Sequence, residues 1–467
     1  MRLQVSLTLE MDANATLASM EEQIQAAGHC WMGEALKQAV RQWEKAHHVC
    51  PHCRSQQVRL EGTVSRTVLT QCGKVCVARQ RMRCQQCFQR FQPSASLWQE
   101  LHLGRVTSGL AEAAVLAGVS WPYRQAAQTL TRLSGACISA EEIRLLTNRH
   151  GSAQAKREEH ACQKQEEQAK REEAPDQKQK LLAEEVPSEA ISSPSADRTI
   201  IGMDGGWIPC RSQRGGMEGK VAVIASQKTL VRAPVLPGKD ATWYELQKYL
   251  QRHRHRSVAR FRFAKRRYVA TFAPASSLGR LAAQAVNLLE LPPAEQVVVA
   301  DGADWIKQQT QRHFPGATCI LDWPHLWRAM IKAVRAVCRE QKQSERWLKK
   351  PLALLRQWLW RGEVQQATAL LVQWQAEPGG TSIEALQKAI TYLRTQQDWI
   401  GSYEQWQLQG YPIGSGIIER AVAVVINRRM KKRGMSWLRC NATAVVTLRA
   451  AFLNEEWALP TAARTFP

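Results

Sequence analysis

The chain has 467 residues, 64 Lys+Arg against 41 Asp+Glu, and a formal net charge of +23. Apolar residues make up 44% and charged residues 22%, which excludes a disordered chain and leaves ample material for a core in two to four domains. No window approaches the roughly eighteen apolar residues of a membrane span, and a charge balance this basic points to a polyanion, nucleic acid first.

The opening stretch MRLQVSLTLEMDANATLASMEE carries no basic region followed by an apolar one. Thirteen cysteines, an odd number, then read as reduced thiols rather than a disulfide framework. The expectation is a cytoplasmic, nucleoid-associated protein without a membrane partner. Residues 1–45 predict a helical segment with Thr16 or Ser19 as cap.

Residues 46–95 predict a zinc ribbon. CPHC sets Cys50 and Cys53 at C-x2-C spacing, and CQQC repeats it at Cys84 and Cys87. Two such knuckles supply four thiolates to one tetrahedral zinc ion. The alternative is that Cys72 and Cys76 take part instead. The segment VRLEGTVSRTVLTQCGKVCVARQRMRC between the knuckles is rich in β-branched residues and alternates like short strands.

Residues 96–150 predict three short helices, with Ser139 and Glu142 in ISAEEI forming a capping box. They fit a helix-turn-helix-like DNA-binding domain and equally any small helical bundle. Residues 151–197 are rich in Glu, Gln and Lys and end in Pro and Ser, which reads as a charged linker and the clearest domain boundary.

Beyond the linker the pattern becomes mixed α/β. Two apolar runs end in an acid followed by glycine: Asp204 in IIGMDGGW and Asp301 in VVVADGADW. Each alone reads as a turn Asp. From 326 to 410 the chain is helical and rich in Trp, most of it suited to core packing and some to stacking on bases. Glu419 follows in GSGIIERAVAVVINRRMKKRGMSW, on an apolar helix. Two strand-held Asp residues and a helix-held Glu can converge on one point. Two-metal phosphoryl transfer needs such convergence, with ions about 4 Å apart on either side of the scissile phosphate.

The segments MDGG, ADGADWI, LDWPH and GSGIIER…RRMKKRGMSW resemble those of bacterial insertion-sequence transposases with a DDE triad, nearest the Kra-type and Lre-type group related to Mutator-like elements. The resemblance spans roughly residues 48–455. It implies an α/β ribonuclease H-like catalytic core at 198–325 and 411–457, interrupted by an all-helical insertion at 326–410 and preceded by the ribbon and the small helical domain. It also implies Asp204, Asp301 and Glu419 as a triad holding Mg2+ or Mn2+. LDWPH matches the family's acid-or-cysteine-x2-His motif at Asp322 and His325, which would position DNA. A turn Asp and a packed His is the plainer reading of that pair.

Two departures stand out. The long polar linker matches no functional part of the family, and DGGW leaves the role of Gly206 open.

Arg428, Arg429, Lys431, Lys432 and Arg433, with Trp437, form a basic and aromatic run beside Glu419. A second run, RHRHRSVARFRFAKRR at 252–267, interleaves Phe261 and Phe263. Either is a phosphate-contacting surface or a solvated face. The function expected is a transposase that cuts element ends at terminal inverted repeats and joins them to target DNA, acting as a homo-oligomer. The alternatives are a nuclease or resolvase with the same core, and a zinc-ribbon DNA-binding regulator without activity.

Overall fold

The computed structural model describes residues 6, 8–11, 14–173, 198–231, 260–289, 295–344, 346–377 and 383–457. They fall into two compact units, Met1–Gln154 with Glu456–Pro467, and Ala155–Glu455.

The first unit opens with α1 (Leu17–Ala46), which Thr16 caps by accepting from the Ser19 amide at 3.2 Å. It packs on an antiparallel ribbon of β1 (Val58–Thr70) and β2 (Gly73–Cys84), to which β3 (Arg90–Phe91) adds. The strands are 13 and 12 residues long rather than short, because one two-residue turn serves both. Thr70 ties that turn, accepting from the Cys72 amide at 3.1 Å and donating to the Gly73 carbonyl at 2.9 Å. Val40, Val68, Val75 and Val77 form the core between helix and ribbon.

Helices α2 (Ala95–Gln99), α3 (Ser108–Ser120), α4 (Tyr123–Ser134) and α5 (Ala140–Glu173) follow. The capping box starts α5: the Glu142 amide donates to Ser139 Oγ at 3.2 Å, and the Ser139 amide donates to Glu142 Oε2 at 3.0 Å. Gly118 of α3 lies against α5, where a Cβ would stand 2.5 Å from Thr147 Oγ1. The third helix is not short. It runs 34 residues, through the start of the segment read as linker, so the expected boundary at 150/151 falls inside a helix. The Pro/Ser-rich end of that segment, 174–197, lies outside the described residues.

In the second unit the end of α5 docks on α6 (Ala275–Leu288). Glu159 pairs with Arg280, and the Cys162 thiol donates to Gln284 Oε1 at 3.0 Å. The five strands of the sheet among the described residues are β4 (Arg198–Ile208), β5 (Met217–Val231), β6 (Arg260–Thr271), β7 (Gln296–Ala300) and β8 (Thr318–Leu321). Their order is β6-β5-β4-β7-β8. β4, β5 and β6 pair antiparallel, whereas β7 and β8 run parallel to β4. Parallel neighbours need crossovers, and α6 and α7 (Asp304–His313) supply them.

One sheet face buries Met203, Ala222 and Ile224 in a core shared with α6 and with a helical block: α8 (Trp323–Glu340), α9 (Lys349–Arg361), α10 (Val364–Ala376), α11 (Glu384–Gln396) and α12 (Tyr403–Leu408). This block shares one core with the sheet and begins at Trp323, not at 326. Trp360, Trp374 and Trp399 are buried in it, which rules them out as base-stacking surfaces.

The opposite face carries α13 (Gly416–Val422), a π-helical turn (Ala423–Asn427), α14 (Arg428–Met430) and α15 (Arg439–Leu453). The apolar run after Glu419 is therefore not one regular helix. Arg449 is buried and donates from Nε to the Val424 carbonyl in the π turn at 2.7 Å. A wider turn releases a carbonyl from regular helix pairing, and the arginine satisfies it. No helix among the described residues is long and apolar enough to cross a membrane.

Candidate metal centres

Asp204 does not end its strand, contrary to the expectation. β4 continues through Gly205 and Gly206, which pair with Lys220 and Gly219. The glycines that suggest a turn serve instead to admit a helix. A Cβ on Gly202 would stand 2.9 Å from Ile418 Cβ, and one on Gly206 would stand 3.0 Å from Val422 Cγ1. The stripe of missing side chains lets α13 lie close on β4, which accounts for Gly206 and brings Glu419 over the strand.

Asp301 follows β7 directly. β4 and β7 are parallel neighbours, with Gly202 level with Val299. Asp204 lies two residues beyond Gly202 on β4, and Asp301 lies two residues beyond Val299, just past the end of β7. The Asp301 loop is held from both sides. Asp301 Oδ1 accepts from the Ala303 amide at 3.0 Å, and the Tyr392 hydroxyl donates to the Asp301 carbonyl at 3.1 Å. Gln396 Nε2 donates to the Gly302 carbonyl at 2.7 Å. Gly302 has φ +84, and a Cβ there would meet Gln396 Oε1 at 2.4 Å. Helix α11 thus buttresses the second acid, a task that α11's position far along the chain conceals.

Burial lifts the Asp204 carboxyl to about 6; the Gly205 amide opposes this, the Asp301 charge adds to it, His325 opposes it, and the Glu419 charge adds to it. Asp204 thus feels both of the other acids, although the three do not bring ligand atoms within 4.8 Å of one another.

A folded-state value raised above the ordinary 3.8 means that stability is lost as pH rises between that value and about 6. Asp204→Asn should raise the melting temperature of the metal-free second unit at pH 7 by roughly 2–6 °C and flatten its decline across that interval. Calorimetry in EDTA checks this. A variant that melts at or below wild type would show that the ionised Asp204 carboxylate does not destabilise the fold.

Asp322 and His325 stand beside Glu419, and Asp322 has a different role from the expected one. Asp322 is fully buried and cannot touch DNA. It caps α8, accepting from the His325 amide at 3.2 Å and, through Oδ1, from the Ser415 amide at 2.9 Å. Its Oδ2 also bonds His325 Nδ1, and this bond, first among the causes, holds the imidazole proton above its ordinary range. Asp322 therefore ties the strand β8 end to the start of α13 and fixes the imidazole ring, leaving Nε2 as the nitrogen that can meet a metal or phosphate. Ligand atoms of Asp322, His325 and Glu419 all lie within 4.8 Å of one another. Ser415, missed in the sequence, links the two groups: its amide holds Asp322 and its hydroxyl lies 3.4 Å from Glu419 Oε1. Its signal was its place four residues before Glu419.

The basic run divides. Arg428, Lys431, Lys432 and Arg433 are exposed. Arg429 and Trp437 are buried, contrary to their expected DNA contact. The Arg429 guanidinium stacks 5.1 Å from the Trp437 ring, whose Nε1 donates to the Met430 carbonyl at 3.1 Å. In the second run, residues 252–259 lie outside the described residues, as does the Phe261 side chain. Lys265 and Arg266 are exposed, and Phe263 packs against the core instead of facing solvent.

In the first unit, Cys50, Cys53, Cys84 and Cys87 bring four thiols within 4.8 Å of one another. The Sγ atoms of Cys50 and Cys87 are 3.6 Å apart and those of Cys53 and Cys84 are 3.5 Å apart. The two knuckles share a pattern. The Cys50 amide donates to the Ser55 carbonyl at 2.9 Å, and the Cys84 amide donates to the Gln89 carbonyl at 3.0 Å. Arg54 and Phe88, each just after a second cysteine, adopt left-handed φ of 58 and 62. The amides of Cys87 and Gln86 point at Cys84 Sγ, both at 3.4 Å, and lower that thiol to about 6, the Cys87 amide first. This group can hold one structural zinc ion. Cys72 and Cys76 do not belong to it: Cys72 sits at the far hairpin turn, its thiol 3.8 Å from Met32 Sδ.

Comparison with known protein families finds no match, and comparison with curated proteins finds none either.

Proposed function

We propose that the chain is a metal-dependent DNA transposase of the DDE insertion-sequence type, with a ribonuclease H-like core in its second unit. The observation that carries this reading is that Asp204 on β4 feels the charges of Asp301, which directly follows the parallel neighbour β7, and of Glu419, which α13 carries close to β4. The strand order supports the fold. Numbered along the sheet domain, the first Asp lies on the first strand and the second Asp follows the fourth, its neighbour. The helical block between Asp301 and Glu419 is then the insertion, and its α11 steadies Asp301.

Asp204, Asp301 and Glu419 would hold the divalent ions, and His325 stands close enough to Glu419 to join them. Bound there, such ions activate water and neutralise charge on the scissile phosphate. Asp322 keeps the His325 ring oriented. Arg428, Lys431, Lys432 and Arg433 hold the phosphate backbone near the acids and release counterions, which positions DNA without reading its sequence. The 3′-hydroxyl left by cutting then attacks target DNA at the same acids. The zinc-stapled ribbon and the α3–α5 helices recognise the terminal inverted repeats.

The test is incubation of the full chain with end-labelled duplexes of the inverted repeats flanking its gene, with and without Mg2+. Metal-dependent nicking at the repeat ends and joining to a second duplex support transposition. Nicking without joining would leave a nuclease. Binding without any cutting in Mg2+ or Mn2+ would overturn the enzyme reading in favour of a DNA-binding regulator.

A further inference from the structure

The β4–β5 hairpin reaches beyond the acids. β7 stops at Ala300, while β4 continues to Ile208 and turns back through residues 209–216 into β5. Its tip lines an open groove of about 790 Å³, whose wall is completed by Lys431. Arg211, Arg214 and Lys431 face this groove, and no acid lines it. Trp207 stands at its edge, 57% exposed.

The groove is a built feature. Trp437 donates its amide to the Pro209 carbonyl at 3.0 Å, and Arg211 donates its amide to the Trp437 carbonyl at 3.0 Å. Arg211 Nε also donates to Ser436 Oγ at 3.2 Å. The basic loop after α14 is thereby stitched to the hairpin, which explains why Trp437 is buried while Trp207 is not. Gly216, at φ +88, permits the tight return, since a Cβ there would stand 2.6 Å from the Ile208 carbonyl oxygen.

Trp207 lies three residues past Asp204, roughly 10 Å along the strand, and the alternation of side chains puts it on the opposite sheet face, with Ile201 and Met203. A row of cations with an exposed indole suits an unpaired nucleic acid strand. The cations take phosphates, and the ring takes a base face that only an unpaired or terminal nucleotide offers.

We propose that the tip of the β4–β5 hairpin seats unpaired DNA beyond the acids, with Trp207 stacking on a base and Arg211, Arg214 and Lys431 holding its phosphates. This rests on the DNA-processing reading above, but its test does not use cutting. Binding of a fluorescein-labelled dT20 oligonucleotide and of a labelled hairpin duplex is measured by anisotropy in EDTA. Trp207→Ala should weaken dT20 binding about 5- to 150-fold and leave duplex binding within about twofold, and Trp207→Phe should restore most of it. Arg211→Ala with Arg214→Ala should reduce the salt slope for dT20 by about 1.4. Wild type that fails to bind dT20, or a Trp207→Ala variant that binds it as wild type does, overturns the proposal. So does equal weakening on both DNAs. If dT20 binding follows this pattern while Mg2+-dependent cutting is absent, the seat stands and the catalytic reading fails. Cutting that needs Glu419 alongside unchanged dT20 binding by Trp207→Ala is the reverse result.

Discussion

Glu419→Gln should cut labelled DNA ends at least on the order of 10³-fold more slowly than wild type while binding them equally well. The substitution keeps size and hydrogen bonding and removes one ligand charge. Glu419 is exposed, and the packing of α13 rests on Ile418, Val422 and Ile426 instead, so the fold should not change. Single-turnover cleavage in Mg2+ with a parallel binding isotherm separates chemistry from affinity. The loss should be of rate, with the dissociation constant within about twofold, because the substitution leaves the exposed Arg428, Lys431, Lys432 and Arg433, to which phosphate contact is assigned in the proposal, unchanged. Equal cutting by variant and wild type would remove Glu419 from the centre and leave it an ordinary surface acid on an apolar helix.

Cys84→Ser should abolish zinc binding and unfold the ribbon. Wild type should carry about one zinc per chain by elemental analysis, and the variant none. Structural zinc contributes about 10–16 kcal/mol of apparent binding free energy in small domains, and that energy is folding energy. The knuckles carry a local backbone cost as well: Arg54 and Phe88 sit in left-handed backbone that non-glycine residues seldom adopt. The small valine core beneath α1 lies along the ribbon and not at its cysteine end. Limited proteolysis should therefore cut the variant within residues 46–95 and spare the second unit. A wild type without zinc, or a variant as protease-resistant as wild type, would make the cysteines bystanders.

What the sequence disclosed depended on how local each signal was. The capping box at Ser139 and Glu142, and Thr16 as a helix cap, are contacts three residues apart, and both were legible. The C-x2-C pairs were legible because each knuckle is itself local, and only the pairing of knuckles is distant. Asp301 was legible because a buried strand ends where its apolar run ends. Asp204 was misread by one feature. Two glycines after an acid look like a turn, yet Gly206 is paired in a strand and kept small by Val422 of a helix more than two hundred residues away. Arg429 and Trp437 failed for a related reason. A run of cations reads as a uniform solvated face, but its bridge to Pro209 and Arg211 turns two of its members inward. Asp322 did carry a readable sign, since an acid two residues before proline at a helix start is a capping pattern. Its bond to Ser415 had no sign at all.

The central claim is that Asp204, Asp301 and Glu419 form one divalent-cation centre. Titration of the full-length protein with Mn2+, followed by electron paramagnetic resonance of the free ion, tests it without a DNA substrate. Wild type should take up Mn2+ and Mg2+ should compete it off, while Asp301→Asn should lose most of that uptake and keep its zinc. Equal Mn2+ uptake by Asp301→Asn and wild type, or none by either, would contradict the account.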